Sequence, residues 1–248
     1  MESWVVGYDG DTDVERHAEV ANSPLPRTGE GPRVRALPPL RIREVSDYIC
    51  PWCYIGFTRV ERLMDEFEVE FDAYAYDLRP DIPPEGMPRE QASRGRAYPP
   101  GYVDNLIQTA RDSGIDMKRP ALIPNTRKAH EATEFAKDAG LLLPFHRAVF
   151  HAYWEREDNI GDIDILCRVA EECGIDAGGL REAILDGRYA SDVEEQIAWA
   201  RAAGITGVPT FINDERFALV GAQDYEVFRD VAKRVIRSRE QEASAQEG

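Results

Sequence analysis

The sequence predicts an α/β protein with a helical subdomain set between its strands, and three observations predict it. Residues 40–45 alternate like a strand and run into an amphipathic stretch at 54–67, and a second strand-like run follows at 69–78. Residues 90–203 carry repeated helical apolar spacing. Finally, residues 203–213 and 216–222 contain two short strands joined at Asn213-Asp214-Glu215, ahead of a last amphipathic stretch.

Taken in order, residues 4–10 read as a short strand and turn, 13–21 as a helix, and 23–39, rich in Pro, Gly and Arg, as a linker. Residues 1–39 are thus expected to be a partly disordered extension. The prolines of 80–88 mark the boundary of the helical subdomain. Within it, 105–114, 126–140, 144–156, 163–174, 177–186 and 191–203 are the predicted helices, with Gly114, Gly140, Gly174 and Gly204 suited to C-terminal caps. The last helix spans 224 to about 239, with Asp224 as a cap and Tyr225, Phe228, Val231 and Val235 as its apolar stripe. Residues 240–248 read as a polar tail.

The most informative four residues are Cys50-Pro51-Trp52-Cys53, between the first strand and its helix. Cysteines three apart on a helix share one face with Cα atoms about 5 Å apart, inside the range a disulfide spans. Pro51 suits the first helical position, which puts Cys50 at the helix N-terminus, where unpaired amides and the helix dipole favour a thiolate. Cys50 is therefore the expected nucleophile. Cys53, one turn deeper and better shielded, is the expected resolving thiol. A zinc half-site needs a second ligand pair of matching spacing, which Cys167 and Cys173 do not supply, and a purely core pair does not call for Pro51. An acidic run, Asp9, Asp11 and Asp13, lacks the glycine and glutamate of a calcium loop, having Val14 and Val20 there. No metal is expected.

More than 150 residues downstream, Gly207-Val208-Pro209-Thr210 opens a strand. Proline removes a ladder donor, so its plain reading is a trans proline starting an edge strand. Together the two motifs resemble the thioredoxin superfamily, in which a C-x-x-C helix start faces a cis proline before a central hairpin. Residues 46–56 (Ser-Asp-Tyr-Ile-Cys-Pro-Trp-Cys-Tyr-Ile-Gly), Asn125-Thr126-Arg127 and Phe150-His151-Ala152-Tyr153-Trp154 look like the DsbA family, the FrnE-like branch closest, over about residues 40–239. The resemblance implies a thioredoxin fold, built from 40–84 and 204–239, interrupted by a helical insertion at 85–203. It also implies that Pro209 is cis and that Val208 helps to receive substrate.

Trp52, between the cysteines, is expected near the surface and available to substrate, whereas the helical spacing of Phe145 and Val149 reads as core. No role follows from sequence for Tyr98 or Tyr102. His130, His146 and His151 read as surface or partly buried helix residues rather than as a base beside Cys50. Cys167 and Cys173, six apart, would lie about 10 Å apart on a regular helix, too far for a disulfide, and read as small buried apolar residues.

A net charge of −16 argues against nucleic acid and anionic membrane as partners. No run of residues is long and apolar enough to span a membrane, and residues 1–9 lack the basic and apolar regions of a secretory signal, so a cytoplasmic location is expected. In that reducing compartment a C-x-x-C is more readily catalytic than structural, and reductase, isomerase or redox-repair chemistry is favoured over bulk disulfide formation. The expected partners are disulfide-containing proteins or small thiols, with glutathione as a candidate co-substrate, no bound cofactor, and a homodimer as a candidate assembly. Two other functions are compatible with the resemblance. One is a 2-hydroxychromene-2-carboxylate isomerase or kappa-class glutathione transferase, families that typically place serine where Cys50 stands. The other is a non-catalytic interaction module with a vestigial dithiol.

Overall fold

The computed structural model describes residues 5–7, 38–94 and 98–246. The helix predicted at 13–21 and the linker over 23–37 lie outside the described residues. Two strands and a helix open the main layer: β1 (Val5–Gly7), β2 (Leu40–Ser46) and α1 (Pro51–Met64), with β3 (Val69–Ala75) after them. A small two-stranded sheet of β4 (Met87–Pro88) and β5 (Leu122–Ile123) then brackets α2 (Arg89–Ala92) and α3 (Tyr102–Asp112). Helices α4 (Arg127–Asp138), α5 (Leu142–Trp154), α6 (Ile163–Glu172), α7 (Ala177–Leu185) and α8 (Ala190–Ala202) follow, and β6 (Thr210–Asn213), β7 (Phe217–Val220) and α9 (Tyr225–Gln246) complete the chain.

The main sheet has the order β1-β7-β6-β2-β3, with β2 and β3 parallel and the other neighbours antiparallel. Strand β6 is therefore interior, paired with both β2 and β7, and the Val208-Pro209 peptide ahead of it is cis. That corrects the reading of Pro209 as a trans proline opening an edge strand. Its ring lacks an N–H, but it stands one residue before the ladder begins at Thr210, so no sheet bond is lost. Residues 5–7 of the N-terminal extension form the sheet's edge, Val5 opposite Leu219.

The predicted helices are present with shifts of a few residues, and Gly114, Gly140, Gly174 and Gly204 all hold positive φ, from 70 to 78°, just past helix ends. The short β4, α2 and β5 were not legible as elements, being too brief to show a period. The last helix is longer than the expected end at about 239: α9 runs on through the polar residues to Gln246, because Glu, Gln and Ala propagate a helix and the Arg216 guanidinium pairs with Glu242 at 3.0 Å. One apolar core joins α1 to the insertion through Cys53, Tyr54 and Phe57 against Phe145, Val149 and Phe150. A second packs β2 and β6 against α9 through Ile42, Phe211, Phe228 and Val235.

Gly56 fixes how α1 sits on the sheet. A Cβ built there would lie 2.8 Å from the Phe211 ring and 3.2 Å from Pro209, so the helix touches the cis-proline turn with no room for a side chain. Gly56→Ala should lower stability by about 1–3 kcal/mol in chemical denaturation, despite alanine's better helix propensity. An unchanged midpoint would show that the contact is loose.

Candidate active site

The dithiol sits where strand β2 has just ended and α1 begins. Cys50 is the N-cap residue with extended backbone, Pro51 follows in the first turn, and no acidic side chain opposes the helix dipole there. The backbone N–H of Cys50 donates to the Asp47 carbonyl at 2.9 Å and that of Cys53 to the Cys50 carbonyl at 3.1 Å, which sets both sulfurs on one turn. Cys50 keeps 5% of its surface exposed and Cys53 none. All four cysteines are free thiols. The Cys50 thiol donates to the Val208 carbonyl at 3.6 Å, so the turn before β6 touches this sulfur although 158 residues separate them in sequence. The structure thus gathers Cys50, Pro51, Trp52, Cys53, Val208 and Pro209 into one place.

Cys50, Pro51 and Trp52 open onto a cavity of about 470 Å³ between the sheet domain and the insertion. Its walls are mostly apolar, from Leu106, Ile107, Met117 and Trp154. Trp52 is half-buried there: its indole N–H donates to the Tyr102 hydroxyl at 2.8 Å, and Tyr98 stacks on Tyr102 with ring centres 4.8 Å apart. These tyrosines, for which no role was legible in the sequence, therefore line the cavity. The Arg89 guanidinium lies on the wall, donating to the Pro120 carbonyl and to the Tyr153 hydroxyl, with no carboxylate partner among the described residues.

Beneath the dithiol lies a set of buried polar groups that the sequence reading missed. Glu44 is fully buried; Asp47, Tyr48, His130 and His146 are too, or nearly so. The two histidines correct the expectation of surface or partly buried positions; His151 alone of the three is exposed. Burial pushes the Glu44 carboxyl well above the usual carboxylate range, and the nearby Cys50 and Glu61 add to this. Asp47 is pushed to about 7 by burial, against the opposing effect of the Leu78 and Ile49 amides that donate to it. The Cys53 thiol is pushed up strongly, first by burial and then by its contact with Cys50, with the Glu44 charge in the same sense. Burial pulls His130 and His146 down to about 3, so both are neutral although each faces a carboxylate, Asp47 at 3.9 Å and Glu44 at 3.4 Å.

Elsewhere, Cys167 is buried with its thiol on the Ala177 carbonyl at 3.5 Å, Cys173 caps α6, and burial raises both thiols. No group of three or more potential metal ligands occurs among the described residues, and no helix among them is long and apolar enough to cross a membrane.

The profile of the DSBA-like thioredoxin domain matches residues 41–233. The uncharacterized protein YwbO of Bacillus subtilis is 32% identical over 194 residues, covering 76% of this chain and 94% of YwbO. A probable DsbA oxidoreductase from Streptomyces coelicolor superposes with a TM-score of 0.71 at 27% identity, over 79% of this chain and 89% of that one. A 2-hydroxychromene-2-carboxylate isomerase shares the fold, with a TM-score of 0.64 at 18% identity over 81% and 99% of the two chains.

The buried acids and histidines pull stability in opposite directions. Folding keeps protons on Glu44 and Asp47 that the unfolded chain releases above about pH 4, so their contribution falls as pH rises towards the raised folded values. Folding also denies His130 and His146 the protons that the unfolded chain binds below about pH 6.5, so theirs falls as pH drops. Glu44→Gln should therefore gain stability over the parent as pH climbs from about 4 towards neutral, by roughly 1.4 kcal/mol per pH unit. Urea denaturation at a series of pH values measures it; a pH-independent difference would mean that Glu44 is not held protonated.

Proposed function

Because the chain belongs to the DSBA-like thioredoxin domain family, we propose that it is a cytoplasmic thiol–disulfide oxidoreductase that cycles Cys50 and Cys53. The observation that carries this reading is the asymmetry of the two thiols. One sits at a helix N-terminus at the edge of a substrate-sized cavity, and the other is sealed directly behind it.

In this reading the Cys50 sulfur attacks a substrate disulfide, the bond between the two substrate sulfurs breaks, and a mixed disulfide to Cys50 forms. The Val208 backbone, already in contact with Cys50, aligns the substrate beside the sulfur. Cys53 then attacks Cys50, closing the enzyme disulfide and expelling the second substrate sulfur as a thiolate. Cys53 is strongly disposed to keep its proton, so this second step needs a nearby acceptor. Glu44 is the buried carboxyl that acts electrostatically on Cys53, and it fills that role only once it has itself released its proton.

The cavity supports a substrate with an apolar body and an anionic group. Its walls are apolar, while Arg89 offers an unneutralised cation in a chain of net charge −16. A small carboxylate-bearing thiol such as glutathione has the required charge. An isomerase or transferase of the same fold would use such a cavity too, but it has no need of a second thiol behind the first; the retained Cys53 favours exchange. A reducing cytoplasm favours the reductive or isomerising direction.

Cys53→Ser should trap mixed disulfides at Cys50 that the parent releases, and Cys50→Ser should trap none. Non-reducing mass spectrometry after incubation with oxidised glutathione or a disulfide-bonded test protein reads the outcome. A Cys53→Ser protein that stays unmodified while its Cys50 remains alkylatable would contradict the exchange mechanism.

A further inference from the structure

Charge is distributed unevenly around the dithiol. The chain holds 46 acidic and 30 basic residues, yet the cavity beside Cys50 is lined by Arg79, Arg89, Lys118 and Arg119 and by no carboxylate among the described residues. Two of these cations are neutralised within the fold, Arg79 by Asp81 at 2.7 Å and Lys118 by Asp116. Arg119 is exposed, and among the described residues neither it nor Arg89 has an ion pair. The backbone holds the two side by side, since the Arg89 N–H donates to the Ala121 carbonyl at 2.7 Å and its guanidinium to the Pro120 carbonyl, next in sequence to Arg119. Arg89, Ser93 and Arg119 also border a second, open groove of about 580 Å³, whose remaining wall is Pro88, Glu90, Arg94 and Ala121. Apolar side chains lie open on the same cavity. Leu78 and Tyr98, 39% and 51% exposed, both line it, and they are two of the four large apolar side chains left exposed among the described residues.

We propose that Arg89, Arg94 and Arg119 form an outer subsite for the carboxylates of an acidic polypeptide, and that the substrate disulfide is set in such a segment. This rests on the oxidoreductase reading and names a substrate class for it. A guanidinium is a planar fork matched to a carboxylate, keeps its charge at any working pH, and recognises acidic segments where several stand together. In a chain of net charge −16 most of the surface repels an acidic partner, so unneutralised arginines beside Cys50 give it a place to settle. The cavity of about 470 Å³ is by itself large enough for a small thiol. The groove that continues from it serves a substrate whose chain runs on past the cysteine: an apolar neighbour of that cysteine meets Leu78 or Tyr98, and acidic residues further along meet the arginines. Glu90, on the same groove, offsets one of the three cations.

The three arginines differ in what else they hold. Arg94 and Arg119 are exposed, and among the described residues neither side chain has a hydrogen bond or ion pair, so Arg94→Gln and Arg119→Gln remove charge without removing a structural bond. Arg89 braces the Pro120 carbonyl and the Tyr153 hydroxyl and is left in place.

The test uses the full chain and synthetic peptides of one sequence, in which the positions following a single cysteine are filled with glutamate, glutamine or lysine. Each peptide is made with its cysteine in a disulfide to a small neutral thiol, and again with serine in place of the cysteine. Fluorescence anisotropy of the serine peptides reads affinity without chemistry, and quenched-flow mass spectrometry of the disulfide peptides reads the rate of exchange. At low salt the glutamate peptide should bind and react about thirtyfold better than the glutamine peptide, roughly threefold for each arginine, and the lysine peptide should be worst. Arg94→Gln or Arg119→Gln should cut that preference to about tenfold, the double variant to about threefold, and about 1 M salt should erase it. Equal affinities and rates for the three peptides, or a preference that the double variant keeps in full, overturns this inference and leaves the oxidoreductase reading standing. So does rapid consumption of oxidised glutathione while every peptide stays inert, which marks an enzyme of small thiols. Peptides that bind with the expected preference while neither they nor oxidised glutathione are consumed overturn the oxidoreductase reading and, with it, the claim that the segment is a substrate.

Discussion

The closest constraint in the structure is the seating of α1 on the turn that precedes β6. Gly56 lets the helix approach Phe211 and Pro209 without a side chain between them. That contact carries the helix N-terminus to the Val208 carbonyl, where the Cys50 sulfur sits 3.6 Å away. Everything that makes the dithiol chemically specific follows from this placement. Cys50 is left at the edge of the cavity, and Cys53, one turn further in, is pressed into the core shared by α1 and the insertion.

The insertion does two things for that site. From outside, α3 and the residues around β5 wall the cavity beside Cys50, with Trp52 and Tyr102 bonded across its mouth. From inside, α4 and α5 bring Thr133, His130 and His146 up to Tyr48, Asp47 and Glu44. Burying two acids and two histidines in an otherwise apolar core costs stability unless they are hydrogen-bonded, and Glu44 and His146 Nε2 are left without such bonds. An apolar side chain at either place would make a more stable protein.

Much of this was legible in the sequence, and the reasons for what was not are physical. The dithiol and the α1 start could be read from local chemistry, because Pro51 and the spacing of the two cysteines act within one helical turn. The long helices could be read because their periodicity and glycine caps repeat. Glu44 carried a signal that went unread: in β2 it follows Leu40 and Ile42 at a spacing of two, so it faces the core as they do. His130 and His146 carried less, because their burial depends on Tyr48 and the two acids, with 98 residues between Tyr48 and His146. Likewise the place of β6 inside the sheet depends on pairing with β2 far upstream, which no local pattern of Pro209 reveals.

The central claim is that Cys50 and Cys53, and no other cysteines, form a reversible redox couple. A glutathione redox titration, with alkylation and mass spectrometry reporting each cysteine separately, tests it most directly. The account predicts one reversible two-electron transition confined to Cys50 and Cys53, with Cys167 and Cys173 remaining thiols throughout. No transition at Cys50 and Cys53 at any glutathione ratio, or a transition that maps to Cys167 and Cys173, would contradict it.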